Sequence, residues 1–176
     1  MTAEMRQRVG IVITPKERSR LKVADFGRGE FAQTGLQLLT HLNARRCCAE
    51  EAVLAPRQTC QEHRHPPVGG PASKEKTFCC RWRTGYLYVL SDPPEFPACL
   101  LTTGSETLVT GWHEIRLHPG EQYTLAPNTQ HWFQTVAEGA IVSEFSVRDT
   151  AEDHLPTDPC IVNDPRAGRN SPDNDG

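Results

Sequence analysis

Two histidines separated by a single residue give this sequence its most specific chemical signal. His63 and His65 flank Arg64 and are followed by Pro66 and Pro67. Successive side chains of a β-strand point to opposite faces, so both imidazoles project from the same face and can converge on one cation. Imidazole nitrogen binds several divalent metals. The alternative is that both side chains lie on a solvated strand and bind nothing.

A third histidine is placed where it can join this pair. His131 follows a tight turn at residues 127–130 and opens the apolar segment His131-Trp132-Phe133, which we do not expect to be fully solvated. Strands that are distant in sequence line one interior in a closed β-barrel, so the three histidines can meet there. Surface or hydrogen-bonding roles are expected for the histidines near strand ends and turns, namely His41, His113 and His118.

The elements that must position these residues are mostly short strands. One helix is predicted over residues 14–22, because Thr14 is a suitable N-cap and Pro15 occupies the first helical position. Further along, stretches rich in β-forming residues alternate with turn signals. They are residues 34–42, 50–56, 77–83, 86–90, 108–117, 121–127 and 139–147. Their close spacing leaves no room for crossover helices and indicates an antiparallel sandwich or barrel.

Composition narrows the class of protein. The chain has 176 residues, 13 glycines and 14 prolines, which suits one domain of many short elements. We predict a domain over 1–162 and a polar, disordered tail over 163–176. A net charge of −3 argues against a nucleic-acid-binding protein, and no apolar run approaches the ~18 residues of a membrane span. Seven cysteines without a signal segment indicate free thiols in the cytoplasm.

The order of these motifs resembles the cupin double-stranded β-helix, and more closely the D-lyxose isomerase family of sugar-isomerising cupins. The stretches that carry the resemblance are GLQL (35–38), CQEHRHPP (60–67), TF (77–78), RW (81–82), YLYV (86–89), WHEI (112–115), PG (119–120), PNTQHWFQ (127–134) and TDP (157–159). They follow one another along nearly the whole chain. The resemblance implies an all-β jelly-roll barrel with a short N-terminal helix.

The same resemblance implies what the site does. It implies a homodimeric enzyme with a divalent metal, Mn²⁺, that interconverts D-lyxose and D-xylulose, or D-mannose and D-fructose, through a metal-stabilised enediolate. The metal-binding histidines of the family fall on His63, His65 and His131. Its substrate-contacting lysine falls on Lys74, and its acid–base glutamate falls on Glu144, so both are expected to bind the sugar and act in catalysis.

One position departs from the family pattern. The family completes its metal site with a glutamate two residues after the lysine, and here that position is Lys76. A protonated ammonium repels a cation and offers no lone pair. Three outcomes are open. The loop over residues 66–73 slips so that Glu75 becomes the fourth ligand, the metal is bound by the three histidines alone, or the site is defective. We favour Glu75 as the fourth ligand.

The residues also indicate how the sugar would be handled and which other functions compete. Phe133 is the best candidate for an apolar wall, because it shares the face of His131 two residues on. Asp153 and His154 lie where the family has polar active-site residues, and neither is assigned a role. The competing classes are a non-catalytic or degenerate sugar-binding cupin and a three-histidine iron dioxygenase, neither of which needs both Lys74 and Glu144.

The adjacent cysteine pairs suggest a zinc site, but only weakly. Cys47-Cys48 and Cys79-Cys80 lie on predicted strands, where consecutive side chains point to opposite faces. Each pair therefore presents one thiol per face, whereas zinc sites use wider spacings such as C-x₂-C. We expect these cysteines to be small buried hydrophobic residues.

Overall fold

The computed structural model describes residues 2–27, 29–67, 74–92, 109–147 and 154–161. Two short helices come first, α1 (Thr2–Arg8) and α2 (Pro15–Arg18). The predicted start of α2 is confirmed: the Thr14 hydroxyl accepts from the Glu17 amide, and Pro15 is the first helical residue. The helix ends at Arg18 and the strand Lys22–Ala24 follows, so the predicted extent to residue 22 is wrong.

Eleven strands follow the helices in the described chain, which confirms the all-β prediction. They are β1 (Lys22–Ala24), β2 (Leu36–Ala44), β3 (Cys47–Leu54), β4 (Thr59–Arg64), β5 (Lys76–Trp82), β6 (Gly85–Leu90), β7 (Gly111–Leu117), β8 (Gln122–Leu125), β9 (His131–Thr135), β10 (Ala140–Ser146) and β11 (Leu155–Pro156). One sheet has the order β1-β2-β3-β10-β5-β8, and the other has the order β11-β4-β9-β6-β7. All named strand pairs are antiparallel.

The apolar core fills the space between the two sheets. Strand alternation assigns one residue in two to this interior, and the pattern is regular in β3, where Ala52 and Leu54 belong to the core cluster. The other members are Leu36, Phe78, Cys80, Leu87, Leu117, Leu125, Phe133 and Val142. Burial of these side chains holds the sheets face to face, and the polar residues described below lie on the same interior faces.

The outer face of the larger sheet is covered by α1. Met5 packs with Val53 and Ile141, and the guanidinium of Arg6 donates to Glu51 at 2.8 Å, with both side chains buried. None of the described helices is long or apolar enough to cross a membrane. The predicted tail over residues 163–176 lies outside the described residues.

The cysteines of the described chain are free thiols. Cys48 and Cys80 are buried, whereas their neighbours Cys47 and Cys79 are more exposed, as the alternation of side chains along a strand predicts. Cys60 lies three residues before His63, and burial raises the pKa of its thiol to about 12. A thiol with this pKa stays protonated at neutral pH in the metal-free chain.

Candidate metal centre

Three histidines converge at one end of the interior, as the sequence predicts. The strands β4 and β9 pair with His63 directly opposite His131, and His65 follows β4 by one residue. One nitrogen of each of the three imidazoles lies within 4.8 Å of the others. His65 and His131 are buried and His63 is half-buried. The antiparallel pairing of two strands far apart in sequence therefore creates the cluster.

Backbone carbonyls fix the protonation state of two of these rings. The Nδ1 atom of His63 lies 2.8 Å from the Gln61 carbonyl oxygen, and that of His131 lies 2.9 Å from the Thr129 carbonyl oxygen. A carbonyl only accepts, so each Nδ1 carries the proton and each Nε2 keeps its lone pair. The Nε2 atom of His131 is buried and has no hydrogen-bond partner among the described residues. An orphaned lone pair of this kind, oriented by a carbonyl behind the ring, fits a divalent cation.

The surroundings keep the three imidazoles neutral. Burial lowers the pKa of His131 to about 3 and holds the pKa values of His63 and His65 well below their ordinary value. The positive charge of Lys76 adds to the effect at each ring. Neutral imidazole is the form that binds metals, so the cluster is ready to bind a cation at neutral pH without first releasing protons.

The lysine-rich segment before and within β5 keeps the regular alternation of a strand. Lys76 is opposite Leu125 on β8 and two residues from Phe78, both of which belong to the core, so its side chain faces the interior. Lys74 is also buried, whereas Glu75 is exposed. The segment does not slip, and the structure does not bring Glu75 to the histidines, contrary to our expectation.

Lys76 is instead paired with the proposed acid–base residue. Its ammonium nitrogen lies 2.6 Å from Glu144 Oε2, and the side chains are only 8% and 11% exposed. Glu144 lies opposite Phe78 in the pairing of β10 with β5, so it faces the same interior as Lys76. The structure thus brings Glu144 and Lys76 to the end of the interior that holds the histidines.

Phe133 belongs to the apolar core cluster and lies on the same strand as His131. Its ring stacks on that of Phe78 at 6.1 Å between centroids, and Phe78 in turn contacts the ring of His131 at 5.7 Å. A Cβ atom added at Gly85 would overlap the Phe133 ring, so any larger residue there forces this ring to move. Phe133 therefore forms part of the apolar floor beneath the cluster.

Sequence reasoning missed a second interior carboxylate. Glu50 is buried, and it lies directly opposite Glu144 in the pairing of β3 with β10. Its Oε1 accepts a hydrogen bond from the Thr40 hydroxyl at 2.6 Å. The signal was present in the alternation of β3, where Glu50 occupies the same face as the core residues Ala52 and Leu54.

Sequence reasoning also missed the role of the residue next to His63. Glu62 is 2% exposed, and its carboxylate accepts hydrogen bonds from three separate segments. The donors are the backbone N–H of Thr110 at 2.9 Å and of Gly111 at 2.7 Å, the Thr110 hydroxyl at 3.1 Å, the Gln130 amide at 2.8 Å and the Thr157 hydroxyl at 2.9 Å. Glu62 thereby fixes the residue before His131 and the segment after β11.

A fourth imidazole packs against the cluster. The ring of His154 lies 4.6 Å from that of His65 and 5.6 Å from that of His63, measured between centroids. The pairing of β11 with β4 brings it there. Asp153, the neighbouring residue considered from the sequence, lies outside the described residues.

Comparison with solved structures defines the class of this fold. The L-ribose isomerase of Acinetobacter sp. has a TM-score of 0.75 at 12% identity, covering 90% of this chain and 89% of that one. The L-ribose isomerase of Cellulomonas parahominis, solved with L-ribose, has a TM-score of 0.72 at 15% identity over the same shares. The chain thus has the double-stranded β-helix fold of the cupin sugar isomerases, which confirms the predicted fold class.

Curated relatives identify the family within that class. The D-lyxose/D-mannose isomerase of Thermosediminibacter oceani is 54% identical over 90% of this chain and 87% of its own length. The D-lyxose ketol-isomerase of Cohnella laeviribosi is 51% identical over the same shares. No family model matches the chain. At this level of identity and coverage, the chain belongs to the D-lyxose ketol-isomerase family, and it is a sugar isomerase.

Proposed function

We propose that this protein is a metal-dependent aldose–ketose isomerase that interconverts D-lyxose and D-xylulose, with D-mannose and D-fructose as a second pair. The observation that carries the proposal is the trio of neutral imidazoles, with ligand atoms within 4.8 Å of one another, at the end of the interior that holds Glu144. The names of the relatives, which specify D-lyxose and in one case D-mannose, support the choice of sugars.

In this proposal His63, His65 and His131 hold the divalent cation, which the family resemblance identifies as Mn²⁺. The cation would supply Lewis-acid stabilisation of negative charge on the sugar oxygens. The residues offer neutral nitrogen lone pairs directed at one point, and the carbonyls behind His63 and His131 maintain the ring orientations.

The proton transfer is assigned to Glu144. Aldose-to-ketose conversion removes a proton from C2 and returns one to C1, while the hydroxyl proton on O2 is lost and O1 gains one. A carboxylate at the interior face can take the C2 proton and deliver it to C1. Lys76 holds the Oε2 atom of this carboxylate at 2.6 Å, and the buried Lys74 is assigned the contact with a sugar oxygen.

The ion pair also favours a second candidate function. A protonated Lys76 withdraws one oxygen of Glu144 from proton transfer and adds positive charge beside the histidines. These effects favour a sugar-binding cupin with little or no turnover. The two functions differ in one measurable property, which is whether the metal-loaded chain forms ketose.

The test measures D-xylulose formed from D-lyxose by the purified chain loaded with Mn²⁺. Isomerisation is expected, with its loss in His131→Ala and in Glu144→Gln, while the exposed control His113→Ala keeps full activity. Activity that appears only in Lys76→Glu would identify the natural chain as a degenerate relative. If neither the natural chain nor Lys76→Glu forms D-xylulose, the isomerase proposal is refuted.

The assembly is part of the same proposal. The family resemblance implies a homodimer, and sedimentation equilibrium of the metal-loaded chain measures its mass in solution directly. A monomer at micromolar concentration would contradict this part of the proposal without affecting the assignment of the reaction.

A further inference from the structure

The fourth imidazole at the cluster is held there by strand pairing. His154 immediately precedes β11, which pairs with β4 in the register Leu155 opposite Arg64 and Pro156 opposite His63. The backbone N–H of Thr157 donates to the Glu62 carbonyl at 3.0 Å, and the Thr157 hydroxyl donates to the Glu62 carboxylate at 2.9 Å. These bonds attach the segment that carries His154 to the strand that carries His63.

The ring separations match those of imidazoles that share one metal. With a metal–nitrogen distance of about 2.0–2.1 Å, each ring centre lies about 3.2 Å from the ion, so neighbouring rings are about 4.5–5.2 Å apart. The three predicted ligands show separations of 5.0, 4.4 and 5.5 Å. The ring of His154 lies 4.6 Å from that of His65 and 5.6 Å from that of His63, which is close to this range, although His154 is outside the group of nitrogens that lie within 4.8 Å of one another.

The three histidines supply three metal ligands, and a further residue can supply a fourth. The interior position that the family resemblance assigns to a metal-binding glutamate holds Lys76, and its ammonium is engaged by Glu144. Glu75 is exposed. His154 is half-buried, and rotation of its side chain can bring its nitrogen nearer to the three histidines while β11 stays in place.

We propose that His154 is the fourth metal ligand of this chain and replaces the carboxylate that Lys76 has displaced. The inference rests on the proposed metal-dependent function. Four neutral imidazoles bind the cation without adding negative charge beside the Lys76–Glu144 pair. A nitrogen-only set also favours Co²⁺, Ni²⁺, Cu²⁺ and Zn²⁺ over Mn²⁺ more strongly than a set containing a carboxylate does.

The experiment measures metal binding rather than turnover. Calorimetric titration gives the affinity for Co²⁺ and Mn²⁺, and the nitrogen splitting in the EPR spectrum of the Cu²⁺-loaded chain reports the number of bound imidazoles. His154→Ala is expected to weaken Co²⁺ binding by at least about 10-fold, since changing an outer-shell partner already costs 10–100-fold. It should also lower the number of coupled nitrogens by one.

Two further variants separate a ligand from a packing residue. His154→Glu supplies an oxygen ligand at a reach similar to that of the imidazole Nε2, so it should restore affinity, with a relative gain for Mn²⁺, while the nitrogen count stays one lower. His113→Ala, which removes an exposed histidine on β7, should change neither measurement. Circular dichroism of each variant verifies that the barrel is folded.

The outcomes distinguish this inference from the function it rests on. If His131→Ala abolishes binding and His154→Ala leaves both the affinity and the nitrogen count unchanged, His154 is not a ligand and the three-histidine site stands. If the natural chain binds none of these metals, the metal-dependent function itself is refuted, and this inference with it.

Discussion

Removing the carboxylate of Glu62 tests how the site is held in place. In Glu62→Ala the buried backbone N–H of Gly111 and the partly buried N–H of Thr110 lose their acceptor, whereas the Gln130 amide keeps its bond to the Thr157 hydroxyl at 2.5 Å. Each buried donor left without a partner costs about 1–3 kcal/mol, whereas the two threonine hydroxyls can rotate towards other acceptors. We expect the free energy of unfolding to fall by about 2–5 kcal/mol, a large part of the 5–15 kcal/mol typical of a domain.

Glu62→Gln is expected to lower the free energy of unfolding much less. Both backbone N–H groups donate to Oε2, and this atom can remain an oxygen in glutamine. The new NH₂ group then faces the hydroxyls of Thr110 and Thr157, which can turn to accept, and the Gln130 amide, which must flip to present its oxygen. The loss is mainly the charge assistance of these bonds, about 1–2 kcal/mol. Because Gln130 precedes His131, metal affinity should also fall by about 10–100-fold, as for other outer-shell partners.

Urea unfolding in the presence of a chelator measures the stability of these variants, and calorimetric titration with Co²⁺ measures their affinity. Glu114→Gln is the matched control. Its carboxylate accepts one hydrogen bond from the Tyr88 hydroxyl at 3.1 Å and pairs with an exposed arginine at 3.6 Å, so it should cost less than about 1 kcal/mol. Equal destabilisation by Glu62→Gln and Glu62→Ala, or an unchanged Glu62→Gln variant, would refute this account of the carboxylate.

Three other predictions concern the floor of the site, its titration and the outer face of the barrel. Gly85→Ala should lower the free energy of unfolding by about 1–3 kcal/mol, because the new methyl group overlaps the Phe133 ring. Adding Phe133→Leu should recover part of that loss in urea unfolding. If the losses of the two single variants simply add in the double variant, the overlap is contradicted. In the metal-free chain, the free energy of unfolding should be greatest above pH 6.5. Below pH 6.5 it should fall by about 1.4 kcal/mol per pH unit for each buried histidine, because the unfolded chain takes up protons that the folded chain does not. His131→Asn should flatten this dependence, since burial lowers the pKa of His131 to about 3, and an equally steep curve would show that the imidazole is not buried neutral. Arg6→Met should lower the free energy of unfolding by about 3 kcal/mol, because it leaves Glu51 as a buried, unpaired charge. The double variant with Glu51→Gln should lower it by less. Equal losses in the single and the double variant would show that the pair is not coupled.

The local parts of the site could be predicted from the sequence. The alternation of side chains along a strand puts His63 and His65 on one face, and it also puts Lys76 on the face of the core residue Phe78. The expectation that Glu75 would enter the site required a one-residue slip, which would also have moved Phe78 out of the core. Burial of Phe78 maintains the register of β5, so the slip does not occur.

The non-local parts of the site could not be read in this way. The groups that donate to Glu62 lie 48, 49, 68 and 95 residues further along the chain, and no local pattern indicates them. The approach of His154 to His65 likewise depends on the two-residue strand β11, which is too short to leave a sequence signal. The position of Glu50 opposite Glu144 likewise depends on the pairing of β3 with β10.

By itself, the sequence determined the fold class, the face of each strand that carries the chemistry and, through its resemblance to a family, the class of reaction. These properties follow from period-two patterning and from motifs of a few residues, in which neighbouring side chains determine the outcome. Only the tertiary structure decided that Lys76 pairs with Glu144, that Glu62 ties three segments together and that a fourth imidazole joins the histidines. The physical reason is that these contacts depend on which strands pair and in which register, and burial of the whole core determines that pairing.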